Sequence, residues 1–240
     1  MLRPFLLKPA CKDYLWGGEQ LKTLYHKHTD ITPLAETWEC SVHPDGPSTI
    51  ITGPYAGYTL REFLCLFPQA MGRHGKMYGE LPILIKLIDA EKDLSIQVHP
   101  DDAYAKKHEG QLGKTELWYV LRAQAGATLV YGFAHDVTPQ LVRQAIAQNT
   151  LMRHMQAVPV HEGDVFLIEP GTIHAIGGGV LLAEVQESSN ITYRVYDYGR
   201  RDKLGNLRQL HIEKALSVMN FKAAPLIRQH QRIIQYTPGM

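Results

Sequence analysis

With 240 residues, the chain can bury the core of one large domain, or of one domain with a smaller appendage. Its content of 45% hydrophobic and 20% charged residues is that of an ordinary globular protein. The 25 Lys and Arg nearly cancel the 24 Asp and Glu, and the signs are interleaved, which excludes a basic block for nucleic acid and an acidic solvating tail.

Cys11, Cys40 and Cys65 are scattered without a CxxC pair, which argues against a disulfide framework. The N-terminal apolar run is broken by Pro4 and Lys8 and does not read as a secretory segment. No stretch nears the roughly 18 apolar residues of a membrane span. The expected setting is the cytoplasm.

In chain order, the first patterned segment is 59–67, where Leu60, Phe63, Leu64 and Phe67 fall at helical spacing ahead of the stop signal Pro68. Residues 69–80, with Gly72, Gly75 and Gly79, read as a loop that completes an inserted helical segment over about 58–80. The apolar run 81–88 follows. In Leu94-Ser95-Ile96-Gln97-Val98-His99, apolar and polar residues then alternate as on a strand. The same reading applies to 116–121, 128–131, 165–168, 180–186 and 191–198. A second insert, about 138–149, opens with Thr138 as a cap and Pro139 in the first turn. It carries Leu141, Val142, Ala145 and Ile146 on one side. Strand-like residues recur at 232–236. The expected organisation is one mainly β domain over 1–225, a sandwich or barrel with inserted or flanking helices, while 226–240 begins a C-terminal β domain that is truncated or absent.

Most of the twelve histidines read as solvated side chains, among them His26, His28, His74, His108, His154 and His230. Two stand apart. His99 shares a strand face with Gln97, because successive side chains alternate, and the turn signal Pro100-Asp101 follows at once. His174 is aimed inward by the corner Pro170-Gly171. Between them, Glu116 enters an apolar strand, where a carboxylate is costly to bury unless a charge offsets it. A divalent cation does so. Two imidazoles, a carboxylate and an amide oxygen, without thiolate, suit zinc and would also accept manganese, iron or cobalt.

At these segments the sequence resembles the type I phosphomannose isomerases, a zinc-dependent cupin family. The resemblance also runs through Lys12-Asp13-Tyr14-Leu15-Trp16-Gly17-Gly18, Glu36-Thr37-Trp38-Glu39, Lys114-Thr115-Glu116, Pro170-Gly171-Thr172-Ile173-His174-Ala175 and Glu184-Val185-Gln186. It implies a cupin (RmlC-like) jelly-roll barrel and one Zn2+ per chain held by Gln97, His99, Glu116 and His174. It further implies interconversion of mannose 6-phosphate and fructose 6-phosphate through a cis-enediol. The matched positions make Arg194 the enediolate-stabilising arginine and Glu184 the proton-transferring acid/base. Lys114 becomes an active-site lysine for proton shuttling or sugar binding, and Ser95 a phosphate contact. Arg200 stands where many members have a phosphate-binding lysine.

Blander uses remain for several of these: a core ion pair for Arg194, a salt bridge to it for Glu184, a loop cation for Arg200, and core packing for Trp16 and Trp38. Ile176 replaces an aromatic residue of many members. The expected partner is a small phosphorylated hexose, with neither nucleic acid nor membrane, and the oligomeric state is left open. A non-catalytic metallo-cupin that binds a sugar phosphate and regulates a partner is the rival reading. An iron dioxygenase is disfavoured, because Gln97 stands where the His-x-His pair of those enzymes begins.

Overall fold

The structure, a computed structural model, describes residues 3–201 and 204–225. The expected start of a further domain at 226–240, and the strand-like residues 232–236, lie outside the described residues.

The chain opens with strands β1 (Leu7–Lys8) and β2 (Ala10–Lys12), helix α1 (Gln20–Thr23), and strands β3 (Glu36–Cys40) and β4 (Thr49–Ile50). Helix α2 (Leu60–Leu66), a 3-10 turn (Pro68–Met71) and α3 (Gly72–Tyr78) come next, followed by β5 (Ile83–Ala90), β6 (Ile96–Val98) and α4 (Asp102–His108). Strands β7 (Glu116–Ala123) and β8 (Thr128–Phe133), helix α5 (Pro139–Ala147) and a 3-10 turn (Leu151–His154) lead into β9 (Met155–Pro159). The remainder is β10 (Val165–Ile168), β11 (His174–Ile176), β12 (Val180–Glu187), β13 (Tyr193–Tyr196) and α6 (Ile212–Val218).

Two antiparallel sheets, in spatial order β10-β7-β12-β5-β3-β2 and β13-β6-β11-β8-β9, face each other, and β1 and β4 form a separate ribbon. Trp118, Val120, Ile88 and Leu182 of the first sheet pack against Leu129, Val158 and Ile176 of the second. This is the mainly β, cupin-like jelly-roll barrel that the alternating segments and the resemblance predict.

The outer face of the five-stranded sheet (Ile96, Val98, Ala175, Val195) is covered by Ala105 of α4, Val142 and Ile146 of α5, and Ala215 and Leu216 of α6. At about 1.5–3 kcal/mol for each large apolar side chain removed from water, these layers and the apolar end of the barrel carry the stability. The other end of the barrel is lined by charged groups.

Both expected helices are present and capped as their sequences dictate. Thr59 and Glu62 form a reciprocal capping box at α2, and the Thr138 side chain accepts from Leu141 N–H at α5, with Pro139 in the first turn. The expected loop at 69–80 is instead largely helical. Pro68 ends α2 but opens the 3-10 turn, where a missing N–H is harmless. Gly72, at φ +71°, makes the left-handed junction into α3. Gly75 lets that helix press against Met71, whose Cβ an added methyl would meet at 2.7 Å. The turn signal after His99 also does more than end a strand, because Asp101 accepts from Tyr104 N–H and caps α4.

Candidate metal centre and adjoining cavity

Alternation along β6 sends Val98 into the helix-covered layer and turns Gln97 and His99 into the barrel. His174 opens β11 and is directly opposite Gln97. Glu116 opens β7 in the opposing sheet, paired with Gln186 and Ile168, so the cluster spans the two layers.

His99, Glu116 and His174 are at most 1% exposed, and their ligand atoms all lie within 4.8 Å of one another. His99 Nδ1 is 2.8 Å from the Ile191 carbonyl and His174 Nδ1 is 2.8 Å from the Thr172 carbonyl. A carbonyl can only accept, so both Nδ1 atoms carry the proton and both Nε2 atoms present bare lone pairs. Those lone pairs face Glu116, with His99 Nε2 3.2 Å from Oε1 and His174 Nε2 3.6 Å from Oε2. His99 Nε2 and both Glu116 oxygens are buried without a hydrogen bond. Lys114 Nζ, 2.9 Å from Oε1, supplies the nearby positive charge.

Burial, reinforced by Lys114, drives His99 down to about 3, and burial also lowers His174, so both rings are neutral at pH 7. Burial alone would raise Glu116, but Lys114 together with His99 and His174 outweighs it and holds the carboxyl well below its usual range. Converging, unprotonated acceptors are what a cation satisfies, so the donor set fits a divalent metal. The Gln97 amide lies 3.5 Å from His174 Nε2, and a half-turn of that amide brings Oε1 toward the same point.

Beside this cluster lies a cavity of about 290 Å³ whose wall includes Ser95, Gln97, Lys114, Glu184 and Arg194. Such a volume is at the small end of ligand pockets, roughly 300–1,000 Å³. Across the inner face of the larger sheet, Trp118, Glu184, Lys86 and Trp38 form one cross-strand row. Trp118 Nε1 donates to Glu184 Oε1 at 2.9 Å, and Lys86 Nζ lies 2.9 Å from Glu184 Oε2 and 4.0 Å from Glu36. Burial and the charge of Glu116 raise the Glu184 pKa, against the pull of Lys86. Burial would lower Lys86, but Glu184 and Glu36 together push it up.

The ion pair considered between Glu184 and Arg194 is absent among the described residues. The two belong to different sheets, and Lys86 is Glu184's cross-strand neighbour. Arg194, opposite Gln97 on β13, donates from Nε to Ser95 Oγ at 3.1 Å and from Nη1 to the Gln209 carbonyl at 3.1 Å. Burial and the charge of Arg208 bring its pKa down to about 10.

Arg200 is not among the residues that line the cavity. It is bound to Asp197 and to the Asp93 carbonyl, and Arg208 stands at the wall instead. Trp16 lines the cavity as well as packing in the barrel, whereas Trp38 is wholly buried. Sequence reasoning missed Glu36, Lys86, Arg208 and His211. A signal existed for Lys86, a lone cation on the inward phase of an apolar strand. The polar stretch that holds Arg208 has no such signature.

A sequence model of the family described as phosphomannose isomerase type I, catalytic domain, matches residues 5–127. The chain is 39% identical over 224 residues to a mannose-6-phosphate isomerase of Streptococcus mutans, covering 91% of this chain and 68% of that protein. It is 38% identical to the mannose-6-phosphate isomerase ManA of Bacillus subtilis, covering 92% of this chain and 70% of the relative. A crystal structure of a Bacillus subtilis mannose 6-phosphate isomerase superposes with a TM-score of 0.85 at 36% identity, over 91% of this chain and 69% of the other. A Salmonella typhimurium phosphomannose isomerase variant, at 18% identity and a TM-score of 0.70, over 92% of this chain and 75% of the other, shares the fold.

Proposed function

The chain belongs to the type I phosphomannose isomerase family, and we propose that it interconverts mannose 6-phosphate and fructose 6-phosphate with one bound zinc ion. The observation that carries this reading is the meeting of unprotonated His99 Nε2, His174 Nε2 and the orphaned Glu116 oxygens beside a charge-lined cavity. These three groups, with Gln97 Oε1, would hold the ion. When bound, it supplies a Lewis acid that polarises a sugar oxygen and offsets negative charge developing there.

Isomerisation moves a proton between C1 and C2 by way of a cis-enediol. Glu184 is our acid/base for that transfer. Its raised pKa brings it toward the operating range, and the Trp118 N–H fixes Oε1. Lys86, 2.9 Å from Oε2, opposes that rise. Lys114, held against Glu116, can donate a proton to a sugar oxygen at the cavity wall. Arg194 runs from Gln97 at the metal end to Ser95, so its guanidinium is our stabiliser of the enediolate, and the Ser95 hydroxyl is our contact to the phosphate end. Arg200, engaged by Asp197 and Asp93, receives no substrate contact.

We assign residues 1–225 to the catalytic domain. The enzyme works in the cytoplasm in this reading, where sugar phosphates occur and where the unpaired Cys11, Cys40 and Cys65 stay reduced.

The test is a coupled assay of purified protein on mannose 6-phosphate, with metal content measured in parallel. One zinc per chain, activity lost with chelator and restored by zinc, is the expected result. Metal and sugar-phosphate binding without turnover would replace this reading by the regulatory one.

A further inference from the structure

We infer that Arg208, aligned by the buried carboxylate of Asp197, is the cation that binds the substrate phosphate, while Arg200 serves to hold Asp197 in place. This rests on the sugar-phosphate reading above.

Beyond β13 the chain leaves the sheet at Asp197 and returns at His211. There His211 N donates to the Arg194 carbonyl at 2.8 Å, and Arg194 N donates to His211 Nδ1 at 3.3 Å. A bridge between Arg201 and Leu207 narrows the excursion. Its returning arm therefore brings Arg208 to the cavity wall that already holds Arg194, Ser95 and His211. Asp197 sits beneath, 5% exposed. Its Oδ1 accepts from Arg200 Nη2 and, at 3.4 Å, from Arg208 Nη1.

The two arginines are engaged differently. Arg200 donates to the Asp197 carboxylate, the Asp197 carbonyl and the Asp93 carbonyl, which turns it away from the cavity. Arg208 shares the carboxylate and faces the cavity. Charge makes the same point. Among the described residues, the guanidiniums of Arg200 and Arg208 share the one carboxylate of Asp197 while Arg194 stands nearby, which leaves positive charge in excess, and Arg194 and Arg208 repel each other. A phosphate monoester, with about −1.5 to −2 charge at neutral pH, balances that excess, and the planar fork of an arginine suits its oxygens.

The experiment compares Arg208→Ala, Arg208→Lys, Asp197→Asn and Arg200→Ala with the parent protein. KM and kcat are measured on mannose 6-phosphate, together with the inhibition constant of inorganic phosphate. Arg208→Ala is expected to raise KM and the phosphate Ki together by about ten- to a hundredfold, the range of a lost charge-assisted contact, with a much smaller change in kcat. Arg208→Lys restores part of the loss, since it keeps the charge without the fork. Asp197→Asn moves KM and Ki in the same direction by a smaller factor and leaves kcat behind, which a merely structural role would not do. Arg200→Ala changes both less than Arg208→Ala. A parent protein that neither turns over mannose 6-phosphate nor responds to phosphate removes the functional reading itself. With an active parent, an unchanged phosphate Ki in both Arg208 variants, or a larger rise in Arg200→Ala, overturns the inference. Should Arg208→Ala fail to fold, the phosphate Ki of Arg208→Lys decides alone.

Discussion

Replacing Lys86 by Met removes the cation that faces Glu184 on the inner wall of the barrel. Lys86 is 4% and Glu184 3% exposed, so only the water of the small cavity they line can stand in for the lost partner. Taking away one partner of a buried pair costs about 3–5 kcal/mol when the remaining charge has no escape. Glu184 has one, since it can take up a proton. At pH 7, protonating a carboxyl of ordinary pKa 4.5 costs about 3.4 kcal/mol, at about 1.36 kcal/mol per unit. The proton therefore caps the loss near that figure, and at pH 5.5 the cap falls to about 1.4 kcal/mol. In the variant, the folded pKa of Glu184 lies above the unfolded one, so the folded state binds the extra proton. Stability then falls as pH rises from 4.5 until the pH passes that folded pKa. Urea unfolding of Lys86→Met against the parent at pH 5.5 and 7 reads this directly. In a chain of this length the pH 7 loss corresponds to a Tm lower by roughly 7–14 °C. The double variant Lys86→Met/Glu184→Gln, in which Glu36 alone still lacks its cation at 4.0 Å, should recover part of it. A loss that does not change with pH, or a double variant as unstable as the single one, refutes the reasoning.

Three further outcomes follow from the same geometry. Chelation should abolish turnover and lower the Tm by roughly 8–16 °C, since a ligand at a thousand times its Kd stabilises by about 4.1 kcal/mol and each kcal/mol is worth about 2–4 °C. Full thermal stability in the presence of chelator would contradict a metal held by His99, Glu116 and His174. The chelated protein should lose stability as pH falls through 6.5. The folded pKa of His99 is depressed to about 3, so between the two values the unfolded chain binds the extra proton, at about 1.36 kcal/mol per unit; denaturation midpoints flat from pH 7 to 5 would count against neutral buried rings. Gly177→Ala should fail to fold or lose more than about 4 kcal/mol, the exceptional range for one substitution, because its Cβ would stand 2.1 Å from the Thr128 carbonyl oxygen. The control is Gly53→Ala, at φ +78° in open space, where about 1–2 kcal/mol of left-handed strain is expected.

Much of the barrel was legible because a half-buried strand writes its two faces into alternate residues. Residues 165–168 were read with the bounds they have in the structure, and alternation placed Gln97 beside His99. The helix over 59–67 shows in its apolar spacing, and Thr138 announces its helix because a cap is a local bond. The pairing of strands is not local. Nothing near Glu116 says that it faces His99 and His174 from the opposite sheet, or that Glu184 lies against Lys86 rather than Arg194. Resemblance associates these residues, but sheet topology sets their distances. Arg208 reaches the cavity only because the excursion after β13 folds back on His211, a long-range event that its polar neighbours do not encode. The helix at 72–78 was hidden for the opposite reason. Its glycines look like loop punctuation and serve as junction and contact.

The division of the cluster between the two layers bears on how fast an ion could come and go. Gln97, His99 and His174 belong to one sheet and Glu116 to the other, and the triad has almost no exposed surface. An ion would leave by way of the cavity that Gln97 lines, but only once groups on both layers let go, so exchange would be slower than from a site built on one sheet. Loading would belong to the last stage of folding, because the full ligand set exists only when the two layers have met.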